Sequence, residues 1–156
     1  VDKITSLYID GDMYITENGV LDRYTSGKSD AWEPGVPGDE LLRPTSSEVL
    51  VTGAGARNEG HVYTYDRTNA RVIAYDKRSG DFVAQYRLAD GDGWKDLRSM
   101  YVIAGVEEAP DTLVWLSASA VNQAVLEAVP SGDGASPAPS GSGAPSASPS
   151  ASAAPG

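Results

Sequence analysis

Three segments of alternating side chains recur in this chain about every 50 residues, and this repeat constrains the fold more than any other feature. Asp12–Thr16, His61–Tyr65 and Thr112–Leu116 resemble one another, and their central residues stand 49 and 51 positions apart. Alternation of period two that is rich in Tyr, Val, Ile and Thr is typical of half-buried β-strands. A repeat of this length indicates one supersecondary unit per copy.

Each central segment has a strand-like neighbour on either side, and short turns rich in Gly, Asn and Asp separate them. Asn18-Gly19 and Ser79-Gly80 are hairpin signals, because these residues adopt the backbone conformations that tight turns need. Phe82–Tyr86 adds a fourth strand to the middle unit. The predicted strands are 5–9, 12–17 and 20–25; 48–52, 61–66, 71–77 and 82–87; and 99–104, 112–117 and 122–127.

Three strands with a variable fourth, repeated at this period, are typical of β-propeller blades. We therefore predict an all-β fold for residues 1–129, a partial β-propeller of two to three four-stranded antiparallel blades. Because propellers have about 4–8 blades, we expect further blades of a parent chain or self-association to complete the array. Val1 stands where an initiating Met would, which favours a fragment of a longer protein.

The middle unit resembles one repeat of the NHL-type β-propeller family over Val62–Val83. A hydrophobic strand ends at Asp66, a turn contains Asn69, an Arg-Val pair begins at Arg71, and the aromatic-Asp pair Tyr75-Asp76 precedes a glycine turn. The first unit lacks the matching arginine, and the third retains only the apolar pattern. The resemblance implies an ion pair between Asp66 and Arg71 that fixes the turn; such pairs are common and individually weak.

Residues 130–156 contain only Ser, Ala, Pro and Gly besides one Asp. Without large apolar side chains, burial cannot offset the entropy lost on ordering, so we predict a disordered, low-complexity C-terminal tail.

Composition narrows the classes of partner. The chain carries a net charge of −10, which argues against binding of nucleic acid and against a polybasic membrane patch. No apolar run reaches 18 residues, so no membrane span is predicted. The absence of Cys excludes disulfides and thiolate metal sites.

Two acidic loops raise the possibility of a calcium site, one at Asp10-Gly11-Asp12 and one at Asp90-Gly91-Asp92 with Asp96 nearby. Carboxylate oxygens are the ligands that calcium prefers. Neither loop has EF-hand spacing, however, and Asp-Gly pairs also form ordinary turns without metal. Calcium is therefore an alternative, and no other cofactor is predicted.

Loop aromatic residues are the other candidates for binding. Trp32 and Trp94 lie in polar loops at the entry or exit of a unit, where an indole either packs on a neighbouring blade or anchors a binding surface. With Asp90 and Asp92 they form the candidate binding set. His61 is the only histidine and the body contains no Gly-x-Ser-x-Gly motif, so no catalytic residue is assigned.

The function we expect is that of a non-catalytic binding or scaffolding module, which would hold a protein or a small ligand at a propeller face. Fold alone does not determine function, so two alternatives stay open. One is the extracytoplasmic sensor region of a larger bacterial membrane protein, since an acidic, Cys-free body and a Ser/Ala/Pro-rich tail are typical of exported cell-surface proteins. The other is a propeller enzyme of the lyase or lactonase type.

Overall fold

The computed structural model describes residues 4–35, 48–88, 94–107 and 109–127. These residues form β-strands and turns, and they include no helix that could cross a membrane. The strands are β1 (Ile4–Ile9), β2 (Met13–Glu17), β3 (Val20–Thr25), β4 (Lys28–Ser29), β5 (Val49–Ala54), β6 (His61–Asp66), β7 (Arg71–Asp76), β8 (Phe82–Tyr86), β9 (Ser99–Ile103), β10 (Thr112–Leu116) and β11 (Val121–Val125).

The strands form three antiparallel sheets, and in each sheet every strand pairs with its neighbour in sequence. The first sheet contains β1 to β4, the second β5 to β8 and the third β9 to β11. Tight turns make this order possible. Between β2 and β3, for example, Asn18 and Gly19 have φ angles of 52° and 84°, as a two-residue hairpin turn with a left-handed backbone requires.

The predicted all-β class with three antiparallel units is confirmed, and the predicted strands match the observed ones to within about two residues. The sequence pattern did not predict β4, which adds a two-residue fourth strand to the first sheet. The predicted tail, 130–156, lies outside the described residues.

The apolar core lies between the sheets and forms two clusters. Tyr14 and Leu21 of the first sheet pack against Val62 and Ile73 of the second. The other face of the second sheet packs against the third sheet. That cluster contains Tyr63, Tyr65, Val72, Ala74, Val102, Leu113 and Trp115. The second sheet is therefore covered on both faces.

The first strands of the three sheets lie side by side, because β1 contacts β5 and β5 contacts β9. Side-chain hydroxyl groups connect the first pair. Thr5 and Thr16 donate their hydroxyl protons to the Val49 carbonyl at 3.1 and 2.8 Å, and the Val51 amide donates to the Ser6 hydroxyl at 3.0 Å. Polar groups buried at this contact thereby find partners across the sheets.

Candidate functional site

Two charged turns meet where the first sheet packs on the second. The Arg57 guanidinium, in the β5–β6 turn, donates two hydrogen bonds to the Asp12 carboxylate, in the β1–β2 turn, at 3.0 and 2.8 Å. Asp12 is almost fully buried, and the hydrogen bonds from Arg57 lower the pKa of its carboxyl group below the ordinary value. A two-pronged contact of this kind fixes both the distance and the orientation of the two turns.

A buried lysine makes the second charged contact between these sheets. The Lys77 ammonium lies 2.5 Å from the Asp10 carboxylate, donates to the Gly55 carbonyl at 3.1 Å and lies 5.4 Å from the centre of the Tyr8 ring. Arg23 of the first sheet donates to the Lys77 carbonyl at 2.7 Å. Asp10 and Asp12, the candidate calcium ligands of the first loop, thus each face a cation of the protein itself.

Between the second and third sheets, Tyr63 and Asp111 form a partly buried polar contact. The Tyr63 hydroxyl donates to Asp111, and the Gly105 amide donates to the other carboxylate oxygen at 2.8 Å. Nδ1 of His61 lies 3.7 Å from the same carboxylate. Burial raises the pKa of Tyr63. The pKa of Asp111 is lowered, because the hydrogen bonds from Tyr63 and the Gly105 amide, together with the nearby His61, outweigh the opposing effect of its burial.

Asp66 and Arg71 form an ion pair at 3.0 Å across the β6–β7 turn, and both side chains are buried. Asn69 donates its side-chain amide to Asp66 at 2.7 Å, and Arg71 donates to the Gln85 side chain at 3.2 Å. The sequence suggested a weak turn pair. Burial changes its energetics, because a charge left without its partner in the interior is strongly destabilising.

The two loop tryptophans are core residues. Trp32 is 6% exposed, meets the Tyr14 ring edge-on at 5.6 Å and has the Arg23 guanidinium 5.5 Å from its ring centre. Trp94 is 1% exposed and meets Trp115 edge-on at 6.0 Å. Both indoles therefore pack on strands and are turned away from solvent. Asp90 and Asp92 lie outside the described residues.

Potential ligand-binding features are few in the described part of the chain. No three His, Asp or Glu side chains gather there as metal ligands would. A cleft of about 250 Å³ lies beside the β2–β3 turn and includes Leu21, Glu33 and Tyr75 in its lining. It falls below the range of roughly 300–1,000 Å³ that is typical of small-molecule sites.

The first sheet exposes an apolar face. We call the side of this sheet that is turned away from the second sheet the leading face. Leu7 and Ile9 on this face are 50% and 61% exposed. The strand register places the following residues on the leading face: Leu7, Ile9, Met13, Ile15, Glu17, Val20, Asp22 and Tyr24.

The third sheet exposes a similar surface, which we call the trailing face because it is turned away from the second sheet at the other end of the row. Tyr101 is 61% exposed and Val121 is 72% exposed. The trailing face consists of Ser99, Tyr101, Ile103, Thr112, Val114, Leu116, Val121, Gln123 and Val125. It carries no carboxylate and no basic side chain.

The repeat shows that these side chains are exposed because no neighbouring sheet among the described residues covers them. Val121 pairs with Leu116 as Val72 pairs with Tyr65, yet Val72 is fully buried against the third sheet. Leu7 occupies the position of Val51, which is 6% exposed. Equivalent apolar positions are thus buried in the middle of the row and exposed at its ends.

No family model, curated protein or solved structure matches this chain. Over its described residues the chain is an all-β protein of three packed antiparallel sheets, with paired charges between the sheets and an apolar face at each end of the row.

Proposed function

We propose that this protein is a non-catalytic β-propeller module for binding and scaffolding, in which the three sheets are consecutive blades. The observation that carries the proposal is the contact of β1 with β5 and of β5 with β9. In a propeller, blades are arranged around a central channel, and their innermost strands are the ones that approach it. The buried Asp66–Arg71 pair supports assignment of the middle sheet to an NHL-like repeat, whose resemblance implies this pair.

The use of the charged residues favours a scaffold over an enzyme. Arg57 holds Asp12 and Lys77 holds Asp10 across the first pair of sheets, and Tyr63 holds Asp111 across the second pair. These contacts fix one sheet against the next. Side chains that make such contacts are poor candidates for proton transfer or ligand exchange, because either process would break the contacts that hold the sheets together.

The apolar end faces are the surfaces that best fit a binding role. Monomeric soluble proteins rarely expose large contiguous apolar patches, and where such patches occur they mark interaction sites. The leading and trailing faces retain large apolar side chains such as Leu7, Ile9 and Val121 in contact with water. Selection for folding alone gives no reason to keep them there.

A second candidate, an enzyme, has one observation in its favour. His61 lies beside the Asp111 carboxylate with 36% of its side chain exposed, and a histidine held by a carboxylate is a common general base. Hydrolysis of a panel of lactones and esters by the wild-type protein, abolished by His61→Ala, would support this candidate over a scaffold.

The binding role is tested with an apolar fluorescent dye at a protein concentration at which sedimentation shows a monomer. We expect the folded protein to bind the dye. Leu7→Lys and Val121→Lys should each reduce binding and leave the melting temperature within about 2 °C, since surface substitutions change stability little. Val72→Lys, at the buried equivalent of Val121, is the matched control and should prevent folding.

Two results would contradict the proposal. One is the absence of dye binding by the folded monomer. The other is a fall of many degrees in the melting temperature of Leu7→Lys or Val121→Lys, which would show that the end faces belong to the folding core.

A further inference from the structure

We propose that the trailing face of one copy binds the leading face of a second copy, and that two such contacts close a ring of six sheets. This inference rests on the proposed assignment of the sheets as blades. It names the partner that the end faces fit, which is another molecule of the same chain.

The two internal contacts show what each end face is shaped to meet. In both contacts, the trailing side of one sheet packs on the leading side of the sheet that follows it in sequence. Tyr14 of the first sheet and Ile73 of the second belong to one core cluster in this way, and Tyr63 of the second and Leu113 of the third belong to the other. Every internal contact is therefore made between two unlike faces, and both contacts have the same orientation along the row of sheets.

A second copy supplies both missing faces at once. The trailing face carries Leu116 and Val121 at the positions of Tyr65 and Val72, which pack on the next sheet. The leading face carries Leu7 where Val51 packs on the preceding sheet. A trailing face placed on a leading face would thus repeat the contact that the chain already makes twice within itself.

The charge distribution supports this pairing. Charged residues make up 22% of the chain and the net charge is −10, yet the trailing face has no charged residue. On the leading face only Glu17 and Asp22 are charged. Because the trailing face is uncharged, no like charges would oppose each other across this contact, and salt should strengthen it by screening the remaining long-range repulsion between two acidic molecules.

The number of sheets favours closure at two copies. Contacts between unlike faces generate rings when the rotation closes and open filaments when it does not. The described residues of one copy form three sheets, so two copies supply six, which lies within the range of about 4–8 blades that propellers adopt. A closed ring leaves no apolar face exposed.

Sedimentation velocity over a concentration series tests the proposal with variants that disable one face each. We expect a dimer for the wild type. Leu7→Lys, without a working leading face, and Val121→Lys, without a working trailing face, should each be monomeric. Val83→Lys places the same charge on an exposed position of the second sheet, outside both end faces, and should remain dimeric.

The decisive sample is an equimolar mixture of Leu7→Lys and Val121→Lys. One intact trailing face and one intact leading face remain, so a single contact can form between the two variants. The mixture should recover a dimer that is about 10²–10⁴-fold weaker than the wild-type dimer, because the second contact no longer closes intramolecularly.

Several results would overturn the proposal. Dimerisation of either variant alone would mean that like faces pair, and a wild-type assembly larger than a dimer would exclude closure at two copies. A wild type that stays monomeric at its highest soluble concentration would assign the faces to further sheets of a longer chain or to another protein. If that monomer still binds the apolar dye and loses binding in the variants, the proposed function stands and only the second copy is refuted.

Discussion

Truncation of two equivalent valines gives the sharpest test of how the sheets are covered. Val72 is the second residue of β7 and Val121 is the first residue of β11, and the two have equivalent pairing partners. Val72 is nevertheless fully buried, whereas Val121 is 72% exposed. Replacement of Val by Ala removes two carbon atoms, worth about 0.8 kcal/mol each when buried. The cavity left at Val72 adds to this, so we expect Val72→Ala to cost about 2–3 kcal/mol.

Val121→Ala should cost much less. Only about a quarter of its surface is buried, so the transfer contribution is about 0.4 kcal/mol, and no cavity forms. Any loss of intrinsic strand preference affects both variants and largely cancels in their difference. The difference of about 2 kcal/mol corresponds to roughly 5–10 °C in melting temperature for a domain of this size.

Urea unfolding of both variants at monomeric concentration measures the two costs directly. Equal costs would refute the reasoning, because they would show that the trailing face is covered within a single chain. A cost below about 1 kcal/mol for Val72→Ala would instead show that the second and third sheets do not pack together as described.

Three further predictions concern the charged and phenolic groups. Asp66→Ala leaves the Arg71 guanidinium buried without its carboxylate and should cost about 3–5 kcal/mol in urea unfolding; a loss below 1 kcal/mol would show that the pair is solvated in solution. The pKa of Asp12 is lowered in the folded state, so its contribution to stability is present above its ordinary pKa of 3.8 and is lost as the pH falls through the lower folded pKa. Asp12→Asn should therefore weaken the loss of stability at acid pH. An unchanged loss would contradict the contact with arginine. Burial raises the pKa of Tyr8 and Tyr14 to about 12, so the stability they contribute is complete below about pH 10 and is lost as the pH rises through 12. Ultraviolet titration should show that these tyrosines ionise at a higher pH in the folded protein than in denaturant.

The strands were predictable because their signals are local. Alternation places Tyr14, Ile15 and Thr16 on opposite sides of one strand, and Asn18-Gly19 provides the turn that follows. Both signals act between residues a few positions apart, so they can be read without knowledge of the rest of the chain. The two-residue β4 has too few residues for an alternating pattern, and it was missed.

The contacts between sheets were not predictable in the same way. Asp12 and Arg57 are 45 positions apart, and Tyr63 and Asp111 are 48 apart, so nothing in the local pattern pairs them. The repeat offers a partial signal, since it indicates which turns lie at the same end of successive sheets. For Trp32 the sequence left open whether the indole packs on a neighbouring blade or anchors a binding surface, because its polar neighbours in sequence are not its neighbours in space.

Measurement of distances between spin labels tests the arrangement of the sheets most directly. Because the chain has no Cys, cysteines introduced at chosen positions are the only sites that a thiol-reactive label modifies. Ile4 and Glu48 flank the contact between the first strands of the first two sheets, whereas Lys28 and Val83 lie in their last strands, and all four side chains are exposed. Consecutive blades around a common axis predict a clearly longer distance for the Lys28→Cys/Val83→Cys pair than for the Ile4→Cys/Glu48→Cys pair in the monomer. Equal distances for the two pairs would mean that the sheets are stacked face to face at constant separation, and would contradict the propeller arrangement.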